Sequence, residues 1–271
     1  MATCIFWIEI KIDNLAVYLI NLDFADERLL SAEAEINSAR LKYERLSAID
    51  GSKLLRHQED QYNEALAYKK YGRSLSGGEI GCYLSHLNAV NLFLQTDLEY
   101  CLVLEDDIKL HSEFNSVLHE LIIFLNSNRK SNFDVVNLCN KPKKIYNKLY
   151  TITANNSNFD LCKAHFFPVL TTAILWTRHG AEKFRASCQP IHSPIDQFLK
   201  DWCIKNDNGL CFFNPPITNT EAESQIDFIS QHSKATRGTR AVNYFIRKQL
   251  RSLRNNRTAK RSSQAFHRSL K

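Results

Sequence analysis

Four absences narrow what this chain of 271 residues can be. No Cys-x-x-Cys pair occurs among its eight cysteines, which removes the commonest zinc and dithiol signatures. Cys4, Cys82, Cys101, Cys139, Cys162, Cys188, Cys203 and Cys211 are scattered, and several sit inside apolar runs. Buried free thiols in a reducing compartment are therefore expected in place of a disulfide framework. No apolar run is long enough to cross a bilayer, and the opening Cys4-Ile5-Phe6-Trp7-Ile8 is soon broken by Glu9, Lys11 and Asp13. A signal peptide and a transmembrane helix are both disfavoured, so a cytoplasmic location is expected. No internal repeat is visible. Finally, no Asp or Glu follows Asp227.

That last absence divides the chain. The formal net charge is +6, but twelve of the 35 basic residues lie between Lys234 and Lys271, leaving 23 against 29 acidic ones in residues 1–233. The body is mildly acidic and the tail, residues 234–271, strongly basic. Such a tail seeks anionic partners. Within it Val242, Phe245, Ile246, Leu250 and Leu253 recur at helical spacing among Arg and Lys, the pattern of a helix that lies on an anionic membrane surface. A nucleic-acid-binding module is the competing reading. The acidic body argues against it, and no nucleic acid is expected as partner.

What is present in the body reads as an α/β sheet with parallel character. The 44% hydrophobic content is enough for one substantial core. Apolar runs at 15–21, 43–49, 100–104, 133–138, 169–177 and 210–213 read as strands. A polar stretch from Asp23 through Arg28 leads into a helical pattern to about Leu41, and further helical patterns cover 58–70, 76–94, 113–125, 179–187 and 194–202. Residues 141–160, rich in Asn, Lys and Ser, read as loop. The clearest helix begins at Ser76-Gly77-Gly78-Glu79, where Ser76 or Gly77 serves as cap.

Three groups of residues carry the chemistry. Glu105-Asp106-Asp107 follows a five-residue apolar strand, and ligands of open α/β sheets gather beyond the carboxyl ends of strands. Three successive carboxylates repel unless a cation or hydrogen-bond donors stabilise them. A hard divalent ion does so with few protein ligands when phosphate oxygens complete its shell. In an extended chain the first and third residues reach the same side, so Glu105 and Asp107 can share one ion. A solvated helix start is the other reading, and the residues alone leave the two level. The second group runs from Gly78 to Ser85-His86. Glycines ahead of a helix admit a phosphate, although neither a Walker loop nor a dinucleotide fingerprint is present. On spacing alone His86 belongs with the core. Third, Asp196 opens a helix after Pro194. It reads equally as a dipole-favoured residue or a general base.

In order, these segments resemble glycosyltransferase family 25, the lipooligosaccharide galactosyltransferase family. The resemblance rests on Val17-Tyr-Leu-Ile-Asn-Leu-Asp23 with Arg28, on Ala48-Ile-Asp50-Gly51, and on Gly78-Glu-Ile-Gly81-Cys82-Tyr-Leu-Ser85-His86. It continues through Leu102-Val-Leu-Glu105-Asp106-Asp107 and Pro194-Ile-Asp196 with Leu199, covering residues 14–227. Leu170-Thr-Thr-Ala-Ile-Leu-Trp176 departs from the family by lacking a glycine and a tyrosine. The resemblance implies a GT-A-like, Rossmann-type nucleotide-binding domain and an inverting transfer, typically of galactose from UDP-galactose onto a lipooligosaccharide or LPS core acceptor. It further implies Asp107 and Glu105 on a manganese or magnesium ion. Asn21, Asp23, Arg28, Gly78, Ser85, His86, Glu105 and Asp106 stand around the nucleotide sugar, with Asp196 as catalytic base. A glycolipid acceptor would place the enzyme on the inner face of the bacterial inner membrane. A metal-dependent phosphohydrolase is the remaining alternative, but a second ligand set for two ions is not evident.

Overall fold

The computed structural model describes residues 13–54, 60–220 and 244–269. Chain order runs β1 (Leu15–Asn21), α1 (Asp26–Ser38), β2 (Glu44–Ser47), α2 (Glu64–Lys70), α3 (Gly77–Leu94), β3 (Tyr100–Glu105), β4 (Ile108–Leu110) and α4 (Phe114–Ser127). It continues with β5 (Val135–Asn137), β6 (Asn147–Ala154), β7 (Ser157–Lys163), β8 (Ala173–Thr177), α5 (Arg178–Ser187), α6 (Ile195–Asn206), β9 (Gly209–Phe212), β10 (Ile217–Asn219) and α7 (Tyr244–Ser269). The main sheet has the order β2-β1-β3-β8-β5-β9-β7-β6. The pairings make β2, β1, β3, β5, β9 and β6 point one way, with only β8 and β7 against them. The expected α/β architecture with a mostly parallel sheet is therefore present.

The two-residue period of the strands sorts their side chains into two cores. Tyr18, Ile20, Cys101 and Val103 face α3, α5 and α6. Val17, Leu19, Leu102 and Leu104 face α1 and α4. Both faces of β1 and β3 are thus covered, which is why these strands are apolar at every position up to their ends. α3 is the central helix of the first layer and is buried on most sides. Ser76 caps it: the Ser76 hydroxyl accepts from the Glu79 amide at 3.3 Å, and the Glu79 carboxylate accepts from the Ser76 amide at 2.9 Å. Arg73 closes on the same carboxylate with two bonds of 2.8 and 2.7 Å.

Several expectations need correction. Residues 141–160 are not all loop, because β6 and β7 form a hairpin at the sheet edge. The polar composition misleads here: an edge strand keeps one face wet, and β6 alternates exposed with covered positions. The turn is Asn155-Asn156, with Asn155 at φ 49°, a conformation asparagine tolerates well. The strand expected at 169–177 begins only at Ala173, after Leu170 at φ 74°. α2 starts at Glu64, capped by Asn63, whereas the expected helix starts at Gln58, which lies outside the described residues. β4 and β10, paired antiparallel, are an addition.

The seven described cysteines are free thiols, six of them buried and Cys82 partly covered. No helix among the described residues is long and apolar enough to span a membrane. The basic tail is helical over Tyr244–Ser269 and docked on the body. Asn255 donates to Asp201 of α6 at 2.7 Å, and Arg247 and Arg251 donate to the carbonyls of Lys69 and Lys70. Val242 and the boundary drawn at 233/234 fall outside the described residues.

Candidate active site

The chain leaves β1 to form β2 on one side and returns to form β3 on the other. Such a reversal opens a crevice beyond the carboxyl ends of the two strands, because the connections depart in opposite directions. Ile20 and Leu22 from the end of β1, Ala48 and Ile49 after β2, Glu105 of β3, and Gly78, Cys82, Ser85 and His86 of α3 line a pocket there. Arg28 of α1 reaches it from the other face of the sheet.

The strand period also divides the acidic triplet. Glu105 shares the face of Cys101 and Val103 and meets α3, where His86 Nε2 lies 2.9 Å from Glu105 Oε1. The Thr171 hydroxyl donates to the same oxygen at 2.7 Å. Burial opposes the charge of Glu105, but His86, Thr171 and Arg28 outweigh it and hold the carboxyl below its ordinary value. Asp106 turns to the α1 side. It pairs with the Arg28 guanidinium and accepts from Asn21 Nδ2 at 2.7 Å. Arg45 in turn donates to Asn21 Oδ1 at 3.0 Å and to Asp23 at 2.8 Å, and Ser47 donates to Asp23 at 2.7 Å. Those two hydrogen bonds lower the pKa of the exposed Asp23.

Asp107 is left least satisfied. β3 ends at Glu105, so the alternation assumed for an extended chain stops and Asp106-Asp107 form a turn. Arg28 approaches Asp107 Oδ2 only to 4.0 Å, and Asp107 Oδ1 is buried without a hydrogen-bond partner among the described residues. Burial and then the charge of Glu105 push its pKa up to about 6. A buried carboxylate oxygen that lacks a donor and is repelled by its neighbours is what a cation would complete. The donor set therefore fits the divalent metal that the family resemblance implies.

Cys82, His86 and Glu105 also place one ligand atom each within 4.8 Å of one another. The Cys82 thiol is a poor hard-metal ligand. Burial, followed by Glu105, Asp196 and Asp107, drives its pKa well up, so it stays protonated and neutral. Oxygen donors suit magnesium or manganese better, which leaves Asp107 and Glu105 as the ligand candidates.

Other expected site residues have mixed positions. Ser85 lines the pocket, but its hydroxyl donates to the Gly81 carbonyl at 2.7 Å and accepts from the Ile49 amide at 2.8 Å, pinning α3 to the segment after β2. The glycines serve the same close approach. A Cβ on Gly81 would stand 2.4 Å from the Ile49 carbonyl oxygen, and one on Gly51 would stand 2.2 Å from Gly77. Gly78 lines the pocket. Asp196 does not touch the triplet. It sits in the first turn of α6 and accepts from its own neighbour Gln197 at 2.6 Å. Burial raises its pKa, with Glu79 adding to the rise. Its charge reaches Cys82, on the pocket wall.

Sequence reasoning missed Thr171 and Arg45. Both reach their partners only across strand pairings: the Glu105 amide donates to the carbonyl of Thr172, next to Thr171, at 2.9 Å, and β2 lies parallel to β1. No spacing along the chain signals either contact.

A family model described as glycosyltransferase family 25 (LPS biosynthesis protein) matches residues 14–199. Procollagen galactosyltransferase 1 of Danio rerio is 26% identical over 192 residues, covering 68% of this chain and 30% of its own length. A glycosyltransferase 25 family member of Drosophila melanogaster is 27% identical over 198 residues, with the same shares of 68% and 30%. The chain thus spans about 30% of the length of these curated relatives. Among solved structures, S. aureus TarS 1-349 aligns with 81% of this chain and 65% of its own at 12% identity and a TM-score of 0.45, too low to bear on the site. The family match runs from the first strand through both the acidic turn and Asp196, and on that extent the chain belongs to glycosyltransferase family 25.

Proposed function

We propose that this protein transfers galactose from UDP-galactose to a hydroxyl of a glycan acceptor, of the LPS or lipooligosaccharide core type, with inversion at the anomeric carbon. The observation that carries the reading is Asp107: a buried, under-satisfied carboxylate beside Glu105 at the crevice between β1 and β3. The names of the relatives support galactose, and the family description supports the acceptor class.

Asp107 and Glu105 would hold a magnesium or manganese ion, which when bound would supply positive charge toward the diphosphate leaving group. The chain's own residues do the rest. His86 and Thr171 fix the Glu105 carboxylate in orientation and keep it ionised. Arg28 and Asn21 hold the Asp106 carboxylate in place, and Arg45 extends that network to Asp23. Ile20, Leu22 and Ile49 give the pocket an apolar wall beside these polar groups. Asp196, on a different element from the acidic turn, accepts the proton of the acceptor hydroxyl. Its burial raises its basicity toward the working pH, as general-base catalysis favours.

The test is release of UDP from UDP-galactose, with and without an oligosaccharide acceptor, in the presence of manganese and then of a chelator. Metal-dependent release stimulated by the acceptor is expected. Release of inorganic phosphate from nucleotides, with no acceptor stimulation, would favour a phosphohydrolase and overturn the reading.

A further inference from the structure

The docking of α7 leaves one of its faces without a partner in the fold. Tyr244, Asn255 and Ala259 are the buried positions of this helix. Counting about 100° per residue, Ile246, Leu250 and Leu253 lie on the opposite side. They are 66%, 60% and 52% exposed, and Phe245 beside them is 63% exposed. Four large apolar side chains on the outside of one helix are more than scattered surface residues. The same outward face changes character toward the carboxyl end, where Arg254, Arg257, Lys260, Arg261 and Arg268 take over. Leu250 and Leu253 form the apolar part of a groove whose other walls are Arg254, Arg257, Thr258 and Arg261. No acidic residue occurs anywhere on α7 to neutralise them.

We propose that this outward face of α7 is a docking surface for a bilayer rich in anionic phospholipid. The apolar half inserts among acyl chains at the headgroup boundary, and the cationic half holds phosphate groups. Charge complementarity selects this occupant. A second copy of the chain would bring an equally cationic helix against this one. A nucleic-acid backbone would answer the arginines but leave Phe245, Ile246, Leu250 and Leu253 in water. The rigid attachment of the opposite face through Asn255 and Asp201, and through Arg251 and the Lys70 carbonyl, fixes how the body sits on the surface. The inference does not depend on the donor or acceptor proposed above.

The experiment is co-sedimentation of the full chain with phosphatidylcholine vesicles, with and without phosphatidylglycerol. Wild-type protein should partition onto the anionic vesicles alone, and salt should weaken that binding. Each cation near the surface strengthens partition about five-fold. Replacing Arg254, Arg257 and Arg261 together by Gln should therefore lower it by something on the order of 100-fold. Leu250→Ser with Leu253→Ser should also release the protein while leaving its charge unchanged. UDP release with a soluble acceptor should be the same in all three proteins, which checks the fold and separates this inference from the enzymatic one. Equal binding to both vesicle types, or wild-type binding by both variants, overturns the proposal. So does retention on duplex DNA or RNA without retention on vesicles, or a dimer lost in the leucine variant when vesicles are not bound.

Discussion

Asp107→Asn should make the metal-free protein more stable at neutral pH, not less. The reasoning starts from the carboxyl's pKa of about 6, against an ordinary value of 3.8. Each unit is worth about 1.4 kcal/mol, so ionised Asp107 costs the folded state about 3 kcal/mol. A carboxyl whose pKa rises on folding holds its proton more tightly in the folded state. Its favourable contribution is complete below about pH 4 and is lost as the pH rises through about 6. Asparagine occupies nearly the same space and cannot ionise, so the variant escapes that loss. Glu105 shifts the opposite way, and its contribution is lost as the pH falls. It is present in both proteins, so the difference between them reports Asp107 together with its repulsion of Glu105. Urea unfolding in chelator should give a variant about equal to wild type near pH 4 and more stable by up to about 3 kcal/mol above pH 7. Manganese should then raise the wild-type midpoint and leave the variant unmoved, since only a ligand that binds the folded state shifts its stability. A variant less stable than wild type at neutral pH, or an equal gain at both pH values, would refute the argument.

Asp196→Asn should keep UDP-galactose affinity and lose roughly 10²–10⁴-fold in turnover; normal turnover with weakened donor binding would make Asp196 a binding residue instead. Thr171→Val removes one of the two donors on Glu105, so the carboxyl should titrate higher and metal-dependent UDP binding should weaken, most strongly in acid; calorimetry at two pH values that shows no change would remove Thr171 from the site. Gly81→Ala sets a Cβ against the Ile49 carbonyl, and thermal melting should show a loss of a few kcal/mol, at least about 1–3 from overpacking; an unchanged melt would mean that the segment after β2 yields freely. Arg73→Met removes the cation paired with the buried Glu79 carboxylate, which keeps the Ser76 amide; loss of the ion pair should cost up to about 3–5 kcal/mol, and an unfolding midpoint equal to wild type would contradict the pairing.

The acidic turn and the first half of the fold are legible in the sequence because they depend on local rules. β1 and β3 are buried on both faces, so their composition announces them, and α3 carries a complete capping box at Ser76 and Glu79. The ordered motifs of residues 14–199 then name the family. The second half was harder to read. β6 and β7 form a wet edge hairpin, where polar residues are tolerated and the apolar signal fades. β8 is shorter than its apolar run because Leu170 takes a left-handed turn before it.

The sequence by itself determined the elements up to the acidic triplet, the family, and a tail that is basic with an apolar stripe. Tertiary structure decided which carboxylate does what. Pairing and strand period send Glu105 to His86 and Thr171, send Asp106 to Arg28 and Asn21, and leave Oδ1 of Asp107 without a donor among the described residues. It also gave the glycines a packing reason, with Gly51 against Gly77 and Gly81 against Ile49. And it turned the stripe on α7 outward by burying Tyr244, Asn255 and Ala259. The division has one physical cause. Burial and helix capping act between residues close in sequence or alike in composition, whereas a carboxylate's ionisation depends on the groups that the fold brings within hydrogen-bond reach.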